Sequence, residues 1–286
     1  MLGSILSSLL LVLGCLFLVG GIKHGQQTFN STIASTMSSL MAVASAALII
    51  PAALYAELSH SERSNNGLTF VSRGTSIVLL LIYVSYLFFQ LETYRDVFDD
   101  VDAQEGTQSG PDLLSPWTAG SVLIVSTLLV AKCAELLVDN IDSVVQDVGI
   151  SKAFIGLILL PTFVNSAGYF NAVNDAFTNK MDLAIEVAIG SSLQIALFVT
   201  PLLVILGWIM GRDMTLHFQM FETVVFFLST LVVTILIQDG KSGYLEGLLC
   251  LGMYIIIALA ISVYPDDLSG GIGGGPLTTN ALLAGR

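Results

Sequence analysis

Charge is what this sequence has least of. Only 11% of its 286 residues are Asp, Glu, Lys or Arg, and the basic ones number ten against 22 acidic. A formal net charge of −12 excludes the basic face that phosphate contacts need, so no nucleic-acid partner is expected. The few Lys and Arg residues are scattered through short loops. Assigned to alternate sides of an eight-span arrangement they divide too evenly for the positive-inside rule to orient the chain. Cysteine and histidine are also scarce. Cys15, Cys133 and Cys250 lie far apart in apolar segments, and His24, His60 and His217 stand alone, which excludes a disulfide frame or a metal-ligand spacing. With no nucleophile–base pair, phosphate loop or metal cluster, the chain does not read as an enzyme and no resident cofactor is expected. No charge precedes Lys23, and neither the basic start nor the small-residue exit of a signal peptide is present. The chain reads as opening inside a membrane span.

What remains is hydrophobic. Apolar residues make up 54% of the chain, and several runs exceed the roughly 18 residues that cross a bilayer. The lipid bilayer is therefore the first expected partner, and the expected fold is an all-α polytopic membrane protein with about eight transmembrane helices. The spans are read at 2–21, 33–56, 74–91, 117–138, 152–172, 183–210, 218–237 and 244–264. One connection is long. Residues 92–116 carry seven acidic residues, from Glu92 to Asp112, against the single Arg95. Two readings stay open for it: a solvated linker between two bundles, or an acidic strip that gathers cations at a pore mouth. The tail, 266–286, is too rich in glycine to pack and reads as disordered.

The organising stretch is 155–211. There Pro161, Asn165, Ser166 and Gly168 interrupt one apolar segment, and Gly190, Ser191, Ser192, Gln194 and Pro201 interrupt the next. Polar groups at membrane depth must find partners or cost several kcal/mol, and broken helices at the midplane are how secondary transporters build ion and substrate sites. An internal repeat supports this reading. A shift of 187 positions lays Gly3, Ser4, Leu10, Leu16 and Gly20 on Gly190, Ser191, Leu197, Leu203 and Gly207. The first and sixth spans are then copies, and an odd offset in spans reverses their direction through the membrane, giving inverted repeats. Ser191 and Gln194, three residues apart, share one helical face, and Ser4, Ser7 and Ser8 share another. These side chains line an ion pathway in one reading and are ordinary helix-packing glue in the other. Lys132 and Glu135, also three apart, suit an intramembrane ion pair or a neutralised pair near a span end.

At 180–208, 29–52, 73–91 and 245–267 the sequence resembles fungal vacuolar calcium/proton exchangers, in the cation/proton exchanger branch of the calcium/cation antiporters. The resemblance implies an inverted-repeat, sodium/calcium-exchanger-like fold of which these are the last eight spans. It divides the chain into a partial first repeat of three spans (1–91), an acidic linker (92–116), a second repeat of five spans (117–265) and the tail (266–286). The implied activity is exchange of Ca²⁺ for H⁺ across the vacuolar membrane, with calcium ions and protons as cargo and a homo- or hetero-oligomer with exchanger paralogues as an assembly. In that family each repeat carries a Gly-Asn-Ala-x-Glu type motif whose glutamates bind calcium and protons in turn. Here the first motif is expected upstream of Met1, and the second departs from the pattern in TFVNSAGYF. Asn165 matches the asparagine, Gly168 stands in the glutamate position and Tyr169 in the following histidine position. The resemblance leaves Asn165, Ser191, Gln194, Ser4 and Ser7 as pathway lining and makes a transport-inactive, truncated paralogue the alternative function.

Overall fold

With no water to satisfy it, a backbone in hydrocarbon closes its hydrogen bonds within its own segment, and these apolar runs accordingly fold as helices. A computed structural model of the protein describes residues 1–58, 64–93, 116–148 and 151–263, except 213, 215 and 217. We number its helices in chain order. Helix α1 spans Leu2–His24, α2 Ser31–Leu58, and α3 Ser64–Phe88 with a π-helical end at Phe89–Thr93. Helix α4 spans Pro116–Val148, α5 Lys152–Val164, α6 Ser166–Phe177 and α7 Met181–Ile209. The last two are α8, Met220–Ile237, and α9, Tyr244–Val263. Among the described residues seven helices are long and apolar enough to cross a membrane, or eight when α5 and α6, bent by 59° from one another, form one span. Helix α4 runs ten residues past the expected 138, because no proline or glycine stops it before Gly149 and a helix can outlast its apolar part. Between their helical ends the acidic linker, and the whole tail at 266–286, lie outside the described residues.

Besides the end of α3, short π-helical segments widen three of the spans, at Ser7–Val12 in α1, Ile155–Leu159 in α5 and Ile195–Val199 in α7. Two have a visible cause. Pro161 and Pro201 each follow a π segment by two residues. A proline has no N–H to donate and its ring crowds the carbonyl four residues back, which a wider turn relieves. The N–H groups of Leu160 and Thr200 accordingly reach the carbonyls of Ile155 and Ile195, five residues back. The 187-residue shift carries Ser7–Val12 onto 194–199, nearly coincident with the π segment of α7. The two helices share a backbone irregularity as well as a sequence.

Helix α1 is the axis of the bundle, with 72% of its span buried. Ile5, Leu9, Leu13, Leu16 and Phe17 are sealed in the core, and α1 packs on α9, α6 and α7. Glycine makes the α1–α9 approach close: a Cβ at Gly247 would meet the backbone of Gly14 and Leu18, and one at Gly21 would meet that of Tyr244. Helix α2 packs on α8, and α3 on the second half of α7, where the Arg73 guanidinium lies 4.8 Å from the centre of the Trp208 ring. At one end, strands β1 (Gln26–Thr28) and β2 (Lys241–Gly243) pair antiparallel. Beside them Lys23 Nζ donates to the Phe177 carbonyl at 2.9 Å and Gln27 Nε2 to the Ala176 carbonyl at 3.2 Å. These bonds satisfy carbonyls at the end of α6 and fix it to the end of α1. Helix α4 differs from the rest, for none of its span is buried by the described residues.

Candidate functional site

Helix α5 stops at Val164, the chain turns at Asn165, and α6 begins at Ser166. This break faces the π segment of α1 and the middle of α7. Between them lies a cavity of about 230 Å³, with Ser8 and Val12 from α1, Asn165, Gly168 and Tyr169 from the break, and Ala188 and Ser191 from α7 on its wall. Its polar groups are hydroxyls, an amide and the backbone of the turn. Tyr169 crosses toward α1 and donates its hydroxyl to Ser7 Oγ at 3.0 Å. Ser191 and Ser192 turn their hydroxyls back to the Ala188 carbonyl at 3.1 and 3.0 Å, which leaves their oxygens as acceptors. Among the described residues no carboxylate stands on the wall. Gly168 is exposed, and a Cβ there would meet nothing within 4 Å among the described residues, so the position is sterically open to them.

Asn165, Gly168, Tyr169 and Ser191 thus come together. Ser7 lies one layer behind the wall, fully buried, as the partner of Tyr169. Ser4 is half-buried and off the wall, and the residue of α1 that reaches the cavity is Ser8. Gln194 is exposed and also off the wall. The reason is angular. On α7 the wall residues Val187, Ser191, Ile195 and Ala188 cover an arc of about 100°, and Gln194 falls just outside its Val187 edge, turned about 100° from Ile195. The two copies also sit in unlike surroundings. A Cβ at Gly3 would run into the Leu157 backbone of α5, whereas one at the matching Gly190 would meet nothing within 4 Å among the described residues. The cavity therefore lies one turn further along α1 than the repeat predicts. A second contact that sequence gave no sign of, Thr162 Oγ1 to Tyr254 Oη at 3.0 Å, holds α5 to α9 beside the break. Lys132 Nζ stands 2.7 Å from Glu135 Oε2 on α4, with both side chains more than half exposed. Among the described residues no three His, Cys, Asp or Glu side chains are placed to hold a metal ion.

Apolar helices that are broken or widened where they meet, around a small polar cavity, make the architecture of a secondary transporter. The comparisons give the lineage. A family model described as "Sodium/calcium exchanger protein" matches residues 1–92 and 118–263, and the chain belongs to that family. It is 44% identical over 267 residues to the "Vacuolar calcium ion transporter" of Schizosaccharomyces pombe, covering 93% of this chain and 64% of that protein. To the "Ca(2+)/H(+) antiporter" of Aphanothece halophytica it is 40% identical over 279 residues, covering 92% of this chain and 73% of that one. The "Vacuolar cation/proton exchanger 3" of Oryza sativa is 37% identical, with 94% and 66% covered. Among solved structures, native YfkE superposes with a TM-score of 0.75 at 34% identity, over 92% of this chain and 73% of that one. The chain spans just under two-thirds of the length of the yeast and rice relatives. The fold is the inverted-repeat, exchanger-like one that the repeat and the resemblance led us to expect.

Proposed function

We propose that the protein is a secondary transporter of the calcium/proton antiporter kind, exchanging Ca²⁺ for H⁺ across the vacuolar membrane. The observation that carries this reading is the cavity where the α5–α6 break meets the π segments of α1 and α7, in a chain of the exchanger family. Its hydroxyl, amide and carbonyl oxygens are the ligand type that calcium takes, and calcium and protons are cargo, so the reading needs no resident cofactor. The same cavity favours a second reading. Calcium sites generally include carboxylates, because neutral dipoles alone offset little of the cost of stripping a divalent ion of water. A wall without a carboxylate among the described residues, with Gly168 open at the position where the resemblance places a glutamate, suits a transport-inactive relative that acts through an intact exchanger.

Proton-gradient-driven uptake of radioactive calcium into vesicles bearing only this chain separates the two. Uptake that collapses with the proton gradient supports exchange. Absence of uptake, together with calcium retention that appears on Gly168→Glu, supports the inactive reading. Absence in both would count against any calcium site at this cavity.

A further inference from the structure

Helix α6 carries part of the cavity wall on its first turn, but it has only 12 residues and leaves α5 at one turning residue, Asn165, with no side-chain cap. A helix so short owes its position to tertiary contacts. It packs on α1 and α7, and Ala172 and Ala176 are its sealed residues. Methyl groups let helices come close without giving a direction that resists sliding, whereas hydrogen bonds are directional. At the start of α6 that bond is Tyr169 to Ser7. At its end the Asn179 and Lys180 N–H groups close the helix on the Ala176 and Asp175 carbonyls, with Asn179 at a φ of 67°. Gln27 reaches this turn from β1. Its Nε2 donates to the Ala176 carbonyl at 3.2 Å and to Asn179 Oδ1 at 2.8 Å, so both amide protons are spent there. The residue is 3% exposed, and its Oε1 lies against Gly20 with no hydrogen-bond partner among the described residues. Burying an acceptor without a donor is costly, so an amide held this way is held for its two N–H bonds.

The repeat isolates what the amide adds. The 187-residue shift sets Gly20 on Gly207 and Gln27 on Met214, and the Met214 side chain covers Gly207 as Gln27 covers Gly20. An apolar side chain therefore serves the packing, and the polar one brings the bonds to the end of α6. We propose that Gln27 is a positioning residue of the cavity. It sets where α6 stops along α1, and through α6 it sets where Asn165 and Tyr169 stand on the wall. A slide by one residue's rise, about 1.5 Å, is enough to break a bond such as Tyr169 to Ser7. The role rests on that cavity being the working site and holds whether or not calcium crosses it.

Spin-label distances in the full chain, with Cys15, Cys133 and Cys250 replaced by alanine, test this. One pair, Phe170→Cys on α6 and Val263→Cys on α9, reads α6 against the α1–α9 unit; a control pair, Ile50→Cys on α2 and Ile235→Cys on α8, does not include α6. Gln27→Met keeps bulk over Gly20 and removes both donors, so the α6 distance should shift by about 3 Å, half a helical turn, with the control unmoved. Gln27→Glu keeps the shape. Ionised, it cannot donate and should shift α6 likewise; at about pH 5, where burial favours the neutral acid, it regains one donor and the unsubstituted distance should return. Lys23 and His24, which reach the neighbouring Phe177 carbonyl, are the same in every variant, so comparison with the unsubstituted chain at each pH removes their titration. An α6 distance unmoved by Gln27→Met, equal movement of both pairs, or a Gln27→Glu distance indifferent to pH would each overturn the proposal. Should Gln27→Met fail to fold, the Gln27→Glu comparison decides alone. No readout depends on calcium uptake, so a chain that transports nothing leaves the test intact.

Discussion

Tyr169 and Ser7 are 162 positions apart in sequence and share one hydrogen bond at 3.0 Å, a direct polar link between the α5–α6 break and α1. Hydrogen bonds between membrane helices contribute on the order of 0.6 kcal/mol, up to about 1.7, so Tyr169→Phe should lower unfolding stability in detergent by about that much. Ser7→Ala should cost a similar amount, and the double variant little more than either alone. Additive losses in that cycle would show that the two side chains act separately. Gln194→Ala is the contrasting case. Its side chain is exposed and off the cavity wall, so the change should stay within about 0.5 kcal/mol. Asn165, Gly168 and Ser191 were recognisable in sequence because each is a polar or small residue set in an apolar run. Sequence puts Ser4, Ser7 and Ser8 on one face without saying which reaches the cavity, because that depends on how far α5 slides along α1.

Glycine decides how closely the helices approach. A side chain at Gly3 would strike the Leu157 backbone and one at Gly247 the backbones of Gly14 and Leu18, neither of which can yield as a flexible side chain does. Gly3→Val and Gly247→Val should each cost more than about 2 kcal/mol, read as a lowered unfolding midpoint. Gly190→Ala should be neutral or stabilising by up to about 1 kcal/mol, since the position is open and alanine is the better helix former. Equal damage at Gly190 and Gly3 would contradict these surroundings. The spans themselves were legible as apolar runs. Their π segments were not, because nothing in a list of leucines and valines states which turn will widen; only Pro161 and Pro201 hinted at two of the places.

Taken whole, the molecule is a bundle about α1 with one helix, α4, set apart from it. Composition alone put this chain in a bilayer, because 54% apolar residues with 11% charge cannot remain dissolved as a monomer. Spacing alone gave the repeat, since copies of one helix keep their small and polar residues in register. Neither settled the shape of the cavity. That depends on contacts between segments more than 150 residues apart, Tyr169 with Ser7 and Gly3 with Leu157, and a linear pattern records which face of a helix is polar without recording which neighbour it meets.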